Sequence, residues 1–129
     1  MSKVLFALLI LVGIINFLPV MGILSAARLE SAYGVELLNN DLIILMRHRA
    51  LLFGILGAFI IYSAFKPVFR TAAMIMAGVS MAGFVVLAHL TGVFNDNLYN
   101  IVLADYVGLF LLAVAAVINR FDNHSSDNA

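Results

Sequence analysis

The amino-acid sequence predicts an all-α fold, a transmembrane four-helix bundle with up-and-down topology. Hydrophobic residues make up 64% of the 129 residues and charged residues only 11%, whereas soluble domains carry about 25% charged residues. The mean hydropathy is +1.11. Nearly the whole chain consists of apolar runs of roughly 20 residues, the length that crosses a bilayer as a helix. We therefore expect a single transmembrane domain, residues 1–129, without a soluble catalytic domain.

The first apolar run covers about residues 4–24 and contains Asn16 and Pro19. The proline is expected to bend the helix, and the asparagine to hydrogen-bond to a neighbouring helix. Lys3 and the small residues at 25–27 are also features of a cleavable signal peptide. The run is longer, however, than the apolar core of a signal peptide, which has about 7 to 15 residues. We therefore expect a retained span.

The loop after the first span is predicted to be partly ordered. Gly34, which follows Tyr33, indicates a turn. The segments Arg28-Leu29-Glu30 and Glu36-Leu37-Leu38 combine charged residues with leucines, a pattern that a short amphipathic helix over the polar end of the bundle would explain.

Three further spans follow, at about residues 41–65, 70–91 and 99–118. The polar clusters 39–41 and 95–97 indicate helix starts, and Pro67 indicates a helix boundary. The third span is rich in small residues and methionine. After the fourth span comes a polar tail, residues 120–129, which we expect to be disordered because it has almost no apolar surface to bury.

The distribution of basic residues predicts the orientation. Cytoplasmic loops close to spans carry an excess of lysine and arginine. In the four-span arrangement the first loop contributes only Arg28 and the third loop no basic residue, so both termini are expected in the cytoplasm. A second span that began at Ala50 would move two arginines into the first loop and nearly balance the count. The basic residues on the terminal side are Lys3, Lys66, Arg70 and Arg120.

Three charged residues lie inside predicted spans: Arg47, Arg49 and Asp105. An ionised side chain inside a bilayer costs roughly 2.5 to 3.5 kcal/mol, so it usually faces a partner or a wet cavity. Arg47 and Asp105 both lie roughly 9 Å from the start of their helices, at a rise of about 1.5 Å per residue. Residues two apart on a helix point in nearly opposite directions, so only one of the arginines can face Asp105.

We predict that Arg47 is the arginine that pairs with Asp105, in the outer half of the bundle. Arg47 shares a helix face with small residues at spacing four, which allow another helix to approach closely. Arg49 lines up with larger leucine and phenylalanine side chains instead. The small residues of the Arg47 face are Ala50, Gly54 and Ala58.

The predicted ligand-binding site is a polar cluster with no assigned catalytic residue. Its members are Arg47, His48, Arg49, His89 and Asp105. Two structural interpretations stay open beside ligand binding: an ion pair can serve only to fix helix register, and Arg49 can extend towards the lipid headgroups.

Several kinds of chemistry are disfavoured by composition and spacing. The chain has no cysteine, which excludes thiol redox chemistry and thiolate metal sites. The histidines and Asp105 lack close metal-ligand spacing, so no metal site is expected. Seven basic and seven acidic residues cancel, and nothing indicates a nucleic-acid partner. Small multidrug exporters use a carboxylate in the middle of the first span, where this chain has Asn16.

Four short segments resemble the DoxX-like group of small four-helix membrane proteins. The resemblance covers residues 1 to about 120, and the Arg-His-Arg and late aspartate positions carry most of it. It implies an up-and-down helical bundle in the cytoplasmic (inner) membrane of a bacterium, and some members of the group are associated with redox or quinone-linked enzymes. The segments are Tyr33-Gly34-Val35, Arg47-His48-Arg49-Ala50, Lys66-Pro67 and Ala104-Asp105.

Two classes of function remain. In the first, the protein is an accessory or binding module that holds an anionic lipid, a quinone or a membrane partner protein against Arg47, His48 and Arg49. Asp105 would then hold Arg47 in place. In the second, it is a small proton-coupled transporter or membrane enzyme that uses Asp105 and His48 as a proton-exchanging pair.

The third span carries small residues that would permit self-association in the bilayer, because they let helices of two copies approach closely. A homo-oligomer is therefore consistent with the sequence. The lipid bilayer is itself an expected partner. No motif identifies a cofactor. The residues concerned are Ala73, Ala77, Gly78 and Ala82.

Overall fold

The computed structural model describes residues 2–128. Most of these residues are helical, and none of them lies in a β-strand. The α-helices in this range are α1 (Lys3–Phe17), α2 (Ala26–Tyr33), α3 (Asn40–Phe65), α4 (Arg70–Thr91) and α5 (Asp96–Asp127). α1 continues into a 3₁₀ helix, Leu18–Ile23, and a short 3₁₀ turn, Pro67–Phe69, precedes α4. α1 with its 3₁₀ extension, α3, α4 and α5 are each long and apolar enough to cross a membrane. The prediction of an all-α protein with four apolar helices is confirmed.

Polar side chains fix where several helices begin. Ser2, Ser25, Asn39 and Asn95 each accept a hydrogen bond from the backbone N–H three residues further on. Such caps satisfy donors that the first turn of a helix leaves unpaired. The clusters 39–41 and 95–97 therefore mark helix starts, as predicted. α1 changes to 3₁₀ geometry just before Pro19, which has no N–H to continue the α-helical bonds.

The four long helices pack as a bundle in which α1 and α4 each contact both α3 and α5. α1 and α3 approach each other closely at Gly57, where a Cβ atom would lie 2.5 Å from the backbone nitrogen of Phe17. Only glycine allows two backbones to come so near. The largest fully buried side chains of the core include Leu5, Leu9, Val12, Ile60 and Met81.

The structure corrects two predictions about small residues, the second of them in part. Ala58 is exposed, and Gly57 takes its place on the buried face of α3. Ala73 and Ala77 are 0% exposed, because they allow α4 to pack against its own neighbours. They are therefore not a free face for a second copy of the chain. Gly78 and Ala82 are half-buried, and self-association through them stays a prediction.

The prediction that the polar tail is disordered is wrong, since α5 continues to Asp127. Extending an existing helix costs much less than nucleating a new one, and α5 enters the tail from a long apolar stretch. Ser125 and Ser126 also donate hydrogen bonds to carbonyls one turn earlier, at 3.1 Å in both cases. The hydroxyl groups of these two serines are thus satisfied on the helix itself.

α2 is a short helix that lies across one end of the bundle. It ends at Gly34, which adopts φ 64° and donates its N–H to the carbonyl of Glu30. The turn predicted at Gly34 is confirmed, and only the first part of the predicted amphipathic segment is helical. Beyond the turn, the carboxylate of Glu30 accepts a hydrogen bond from the backbone N–H of Leu37 at 2.8 Å.

The loop between α4 and α5, together with the first turn of α5, fastens α2 to the bundle. The Nδ2 atom of Asn95 donates to the carbonyls of Tyr33 and Gly34, at 3.0 Å in both cases. Asn97 donates to the carbonyl of Ser31, also at 3.0 Å. α2 and the α4–α5 loop therefore lie at the same end, which we call the α2 end.

Candidate functional site

Arg49 lies inside a cage of aromatic rings at the α2 end. Its guanidinium carbon is 4.8 Å from the ring centroid of Phe53, 5.1 Å from that of Tyr33 and 5.4 Å from that of Phe84. These rings come from α3, α2 and α4, and all lie within the range of cation–π attraction. Arg49 is half-buried. The rings of three different helices thus surround its charge at the α2 end of the bundle.

Asp105 and Arg49 line the same cavity, which has a volume of about 650 Å³ and which we call the first cavity. α1 with its 3₁₀ extension, α2, α3 and α5 all contribute to its wall. Most lining side chains are apolar, and the wall contains both an arginine and an aspartate. The polar and charged lining residues include Asn16, Arg28, Ser31, Arg49 and Asp105.

Arg47 points elsewhere, so the predicted pair between Arg47 and Asp105 is not formed. The Nε atom of Arg47 donates to the carbonyl of Ile23 at 2.8 Å, and among residues 2–128 no ion pair within 4.0 Å joins it to Asp105. The small face of α3 packs against the 3₁₀ helix: a Cβ on Gly22 would lie 3.3 Å from that of Ala50. Arg47 follows this face and reaches the last carbonyl of the 3₁₀ helix.

The two histidines of the predicted cluster lie outside the first cavity. His48 is exposed and does not belong to the wall of the first cavity. His89 is exposed near the end of α4, with its Nε2 atom 2.9 Å from the hydroxyl of Tyr106 on α5. The structure therefore brings together Arg49 and Asp105 from the predicted cluster, and leaves Arg47, His48 and His89 outside this cavity.

Asn16 contributes a buried amide to the wall of the first cavity. Its Nδ2 atom donates to the carbonyl of Val12 at 2.9 Å and makes a long contact of 3.8 Å with the sulfur of Met81 on α4. The prediction of a bond between helices is confirmed. The sequence analysis did not predict that Asn16 lines a cavity. The sequence alone does not show which side of α1 faces the cavity.

A second cavity, of about 380 Å³, lies on the other side of Tyr33 and Arg49. Its wall is mostly apolar and includes Phe84, Phe94 and Leu98. Tyr33 and Arg49 line both cavities. The contact between these two side chains therefore forms part of the partition between them.

Arg70 is a buried arginine that the sequence analysis used only for orientation. It is 4% exposed, its Nη2 atom donates to the carbonyl of Ala64 at 2.9 Å and its Nε atom to that of Ser63 at 3.3 Å. The last carbonyls of a helix lack partners within the helix, and a cation is favourable there. The sequence offered one indication that Arg70 caps the end of α3, because a basic residue follows closely after the helix boundary at Pro67.

Neither metal binding nor similarity to known proteins adds a functional assignment. In the part of the chain from 2 to 128, no group of three or more histidine, aspartate or glutamate residues could hold a metal ion. Comparison with family models, curated proteins and solved structures gives no match. The functional interpretation therefore depends on the first cavity and its charges.

Proposed function

We propose that the protein is an accessory or binding module of a membrane, which holds an amphiphilic ligand in the first cavity. The observation that supports this most directly is that Arg49 and Asp105 share a cavity whose wall is otherwise mostly apolar. Its volume of about 650 Å³ is in the range of small-molecule sites, roughly 300 to 1,000 Å³. An apolar wall with a few charged groups suits a ligand with an apolar body and a polar head.

The charged residues suggest how the head of the ligand would bind. The aromatic rings around Arg49 cover its guanidinium but do not accept its N–H groups as a carbonyl or carboxylate would, so an acceptor oxygen of the ligand could take them. Arg28 adds a second cation to the wall. Asp105 could accept a hydrogen bond from the ligand or balance these charges. An anionic lipid headgroup and a quinone both offer acceptor oxygens next to an apolar body.

We also propose an up-and-down topology, with both termini in the cytoplasm of a bacterium and the bundle in its inner membrane. Two contacts support alternating helix directions. The ring of Phe6, early in α1, lies 5.0 Å from that of Phe65, at the end of α3. Thr71, early in α4, and Asn123, late in α5, line one cavity. The resemblance to the DoxX-like group suggests the same arrangement.

A second candidate function is proton-coupled transport or membrane catalysis through Asp105. One observation favours it: Asp105 lines a cavity and, within residues 2–128, forms no ion pair within 4.0 Å. Carboxylates inside membranes commonly carry protons in pumps and transporters. Because His48 is exposed and outside this cavity, the proton would pass between Asp105 and the cavity without that histidine.

Native mass spectrometry of the gently purified protein tests the binding function. We expect a co-purifying small molecule or lipid on the wild type and on Asp96→Asn, which removes an exposed carboxylate at the start of the same helix. The species should be lost from Asp105→Asn. A wild type without any bound species would contradict the binding function.

Proteoliposomes loaded with a pH-sensitive dye test the second candidate. Proton flux in the wild type that stops in Asp105→Asn, but persists in Asp96→Asn, would favour transport. Absence of flux in the wild type would contradict proton-coupled transport.

A further inference from the structure

A third cavity, of about 550 Å³, lies between α4 and α5 at the end opposite α2. Its inner wall is apolar and includes Met74, Leu109 and Leu112. Its polar side chains come from the first turn of α4 and the late part of α5. They are Thr71, Asn119, Arg120 and Asn123. Neither Arg49 nor Asp105 belongs to this wall, so the cavity is separate from the proposed site.

Asn119 is the most informative of these residues. It is 7% exposed, yet its side-chain amide has no hydrogen-bond partner in the described range of 2–128. The only described side-chain atom that is both wholly inaccessible and unpaired is Oδ2 of Asp122, so the amide atoms of Asn119 retain access to the cavity that they line. The amide therefore faces the cavity without a partner from the described part of the protein. A ligand in the cavity can hydrogen-bond to it without displacing a protein partner.

The polar side chains of this cavity have one kind of chemistry in common. The threonine hydroxyl, the two asparagine amides and the guanidinium of Arg120 can all donate hydrogen bonds. No aspartate or glutamate is among the residues of this wall. Asp122 lies in the same turn of α5 as Arg120 but does not line the cavity. The wall therefore favours an anionic group, unlike the first cavity, which contains Asp105.

The position of these donors along the helix suggests a lipid. Asn119, Arg120 and Asn123 directly follow the apolar stretch of α5, which ends at about residue 118. This is the level of the lipid headgroups when the apolar stretch lies in the hydrocarbon region. The apolar inner wall continues from this level between α4 and α5, where acyl chains would lie.

We propose that the third cavity binds an anionic phospholipid such as phosphatidylglycerol. The phosphate lies against Arg120 and the amides of Asn119 and Asn123, and the acyl chains lie along Met74 and Leu112. This inference is independent of the proposed function, because it uses none of the charged residues of the first cavity.

Native mass spectrometry with added lipids tests this site. The detergent-solubilised protein is incubated with equal amounts of phosphatidylglycerol and phosphatidylcholine that carry identical acyl chains. We expect the wild type to retain phosphatidylglycerol preferentially. Because one cation near an anionic headgroup is worth about fivefold in binding, Arg120→Gln should reduce the preference about fivefold. Asn119→Leu should reduce it as well.

Lys66→Gln is the matched control, because Lys66 is an exposed cation that does not line the third cavity. Its preference should equal that of the wild type. Arg120 is exposed, so its variant tests the site even if Asn119→Leu fails to fold. Equal retention of both lipids by the wild type would overturn the proposal. The same loss in Lys66→Gln as in Arg120→Gln would also overturn it, because the preference would then come from overall charge.

Discussion

The guanidinium carbon of Arg49 lies 5.1 Å from the ring centroid of Tyr33, so a cation of α3 contacts the last residue of α2. The two side chains line both the first and the second cavity. The attachment of α2 to the bundle and the wall of the proposed binding site therefore depend on the same contact.

Replacing Tyr33 tests this contact. Tyr33 is 7% exposed, and truncating a buried aromatic residue to alanine costs about 3 to 5 kcal/mol. We expect Tyr33→Ala to lower the free energy of unfolding in mixed micelles by about 3 kcal/mol. Tyr33→Phe keeps the ring and should cost less than about 1 kcal/mol. A similar loss in both variants would show that the hydroxyl, and not the ring, is responsible.

The close approach of α1 and α3 predicts opposite effects for two glycine substitutions. A Cβ on Gly57 would lie 2.5 Å from the backbone of Phe17, which cannot move aside as a side chain can. We expect Gly57→Ala to destabilise the protein by about 1 to 3 kcal/mol. Gly83 has nothing within 4 Å of its Cβ position, so Gly83→Ala should be neutral or stabilise α4 by up to about 1 kcal/mol. Thermal unfolding in detergent measures both, and equal melting temperatures would contradict the described packing.

The buried cap at the end of α3 predicts a stability effect of Arg70. Hydrogen bonds to charged groups contribute about 1.5 to 3 kcal/mol. Arg70→Met removes those to the carbonyls of Ser63 and Ala64, and it should destabilise by about that amount. Lys66→Met, at an exposed position in the same connection, should change stability by less than about 0.5 kcal/mol. Chemical denaturation in micelles compares the two, and equal stabilities would show that the cap contributes nothing.

The hydrogen bonds of Asn95 predict local opening of α2. Asn95→Ala removes the bonds to Tyr33 and Gly34 and also the cap of α5. We expect amides of α2 to exchange with deuterium about tenfold faster, while those of α1 stay unchanged. Asn100→Ala, at an exposed position of α5, is the control. Unchanged exchange in α2 would mean that other contacts hold this helix.

Helix number and most helix boundaries could be predicted, because apolar run length and capping residues determine them locally. The sequence places the third span at 70–91, and α4 is Arg70–Thr91. The residue at which α5 ends could not be predicted from the composition of the tail. The polar residues after Ile118 do not stop a helix, since their serines hydrogen-bond to the helix itself.

The candidate site was only partly predictable. Helix geometry correctly shows that Arg47 and Arg49 point in different directions, but it does not show which neighbour each one meets. That choice depends on the 3₁₀ helix, whose last carbonyl, at Ile23, takes Arg47. It also depends on α2 and α4, whose rings surround Arg49. The cap formed by Arg70 likewise depends on the path of the chain after Pro67.

The most direct test of the proposed site compares the two arginines. Arg49→Gln and Arg47→Gln each remove one charge from α3, but only Arg49 lines the first cavity. The amount of the co-purifying species per protein is measured by native mass spectrometry for both variants and for the wild type. We expect Arg47→Gln to retain the wild-type amount and Arg49→Gln to lose most of it. Loss of the species from Arg47→Gln together with full retention in Arg49→Gln would contradict the proposed site.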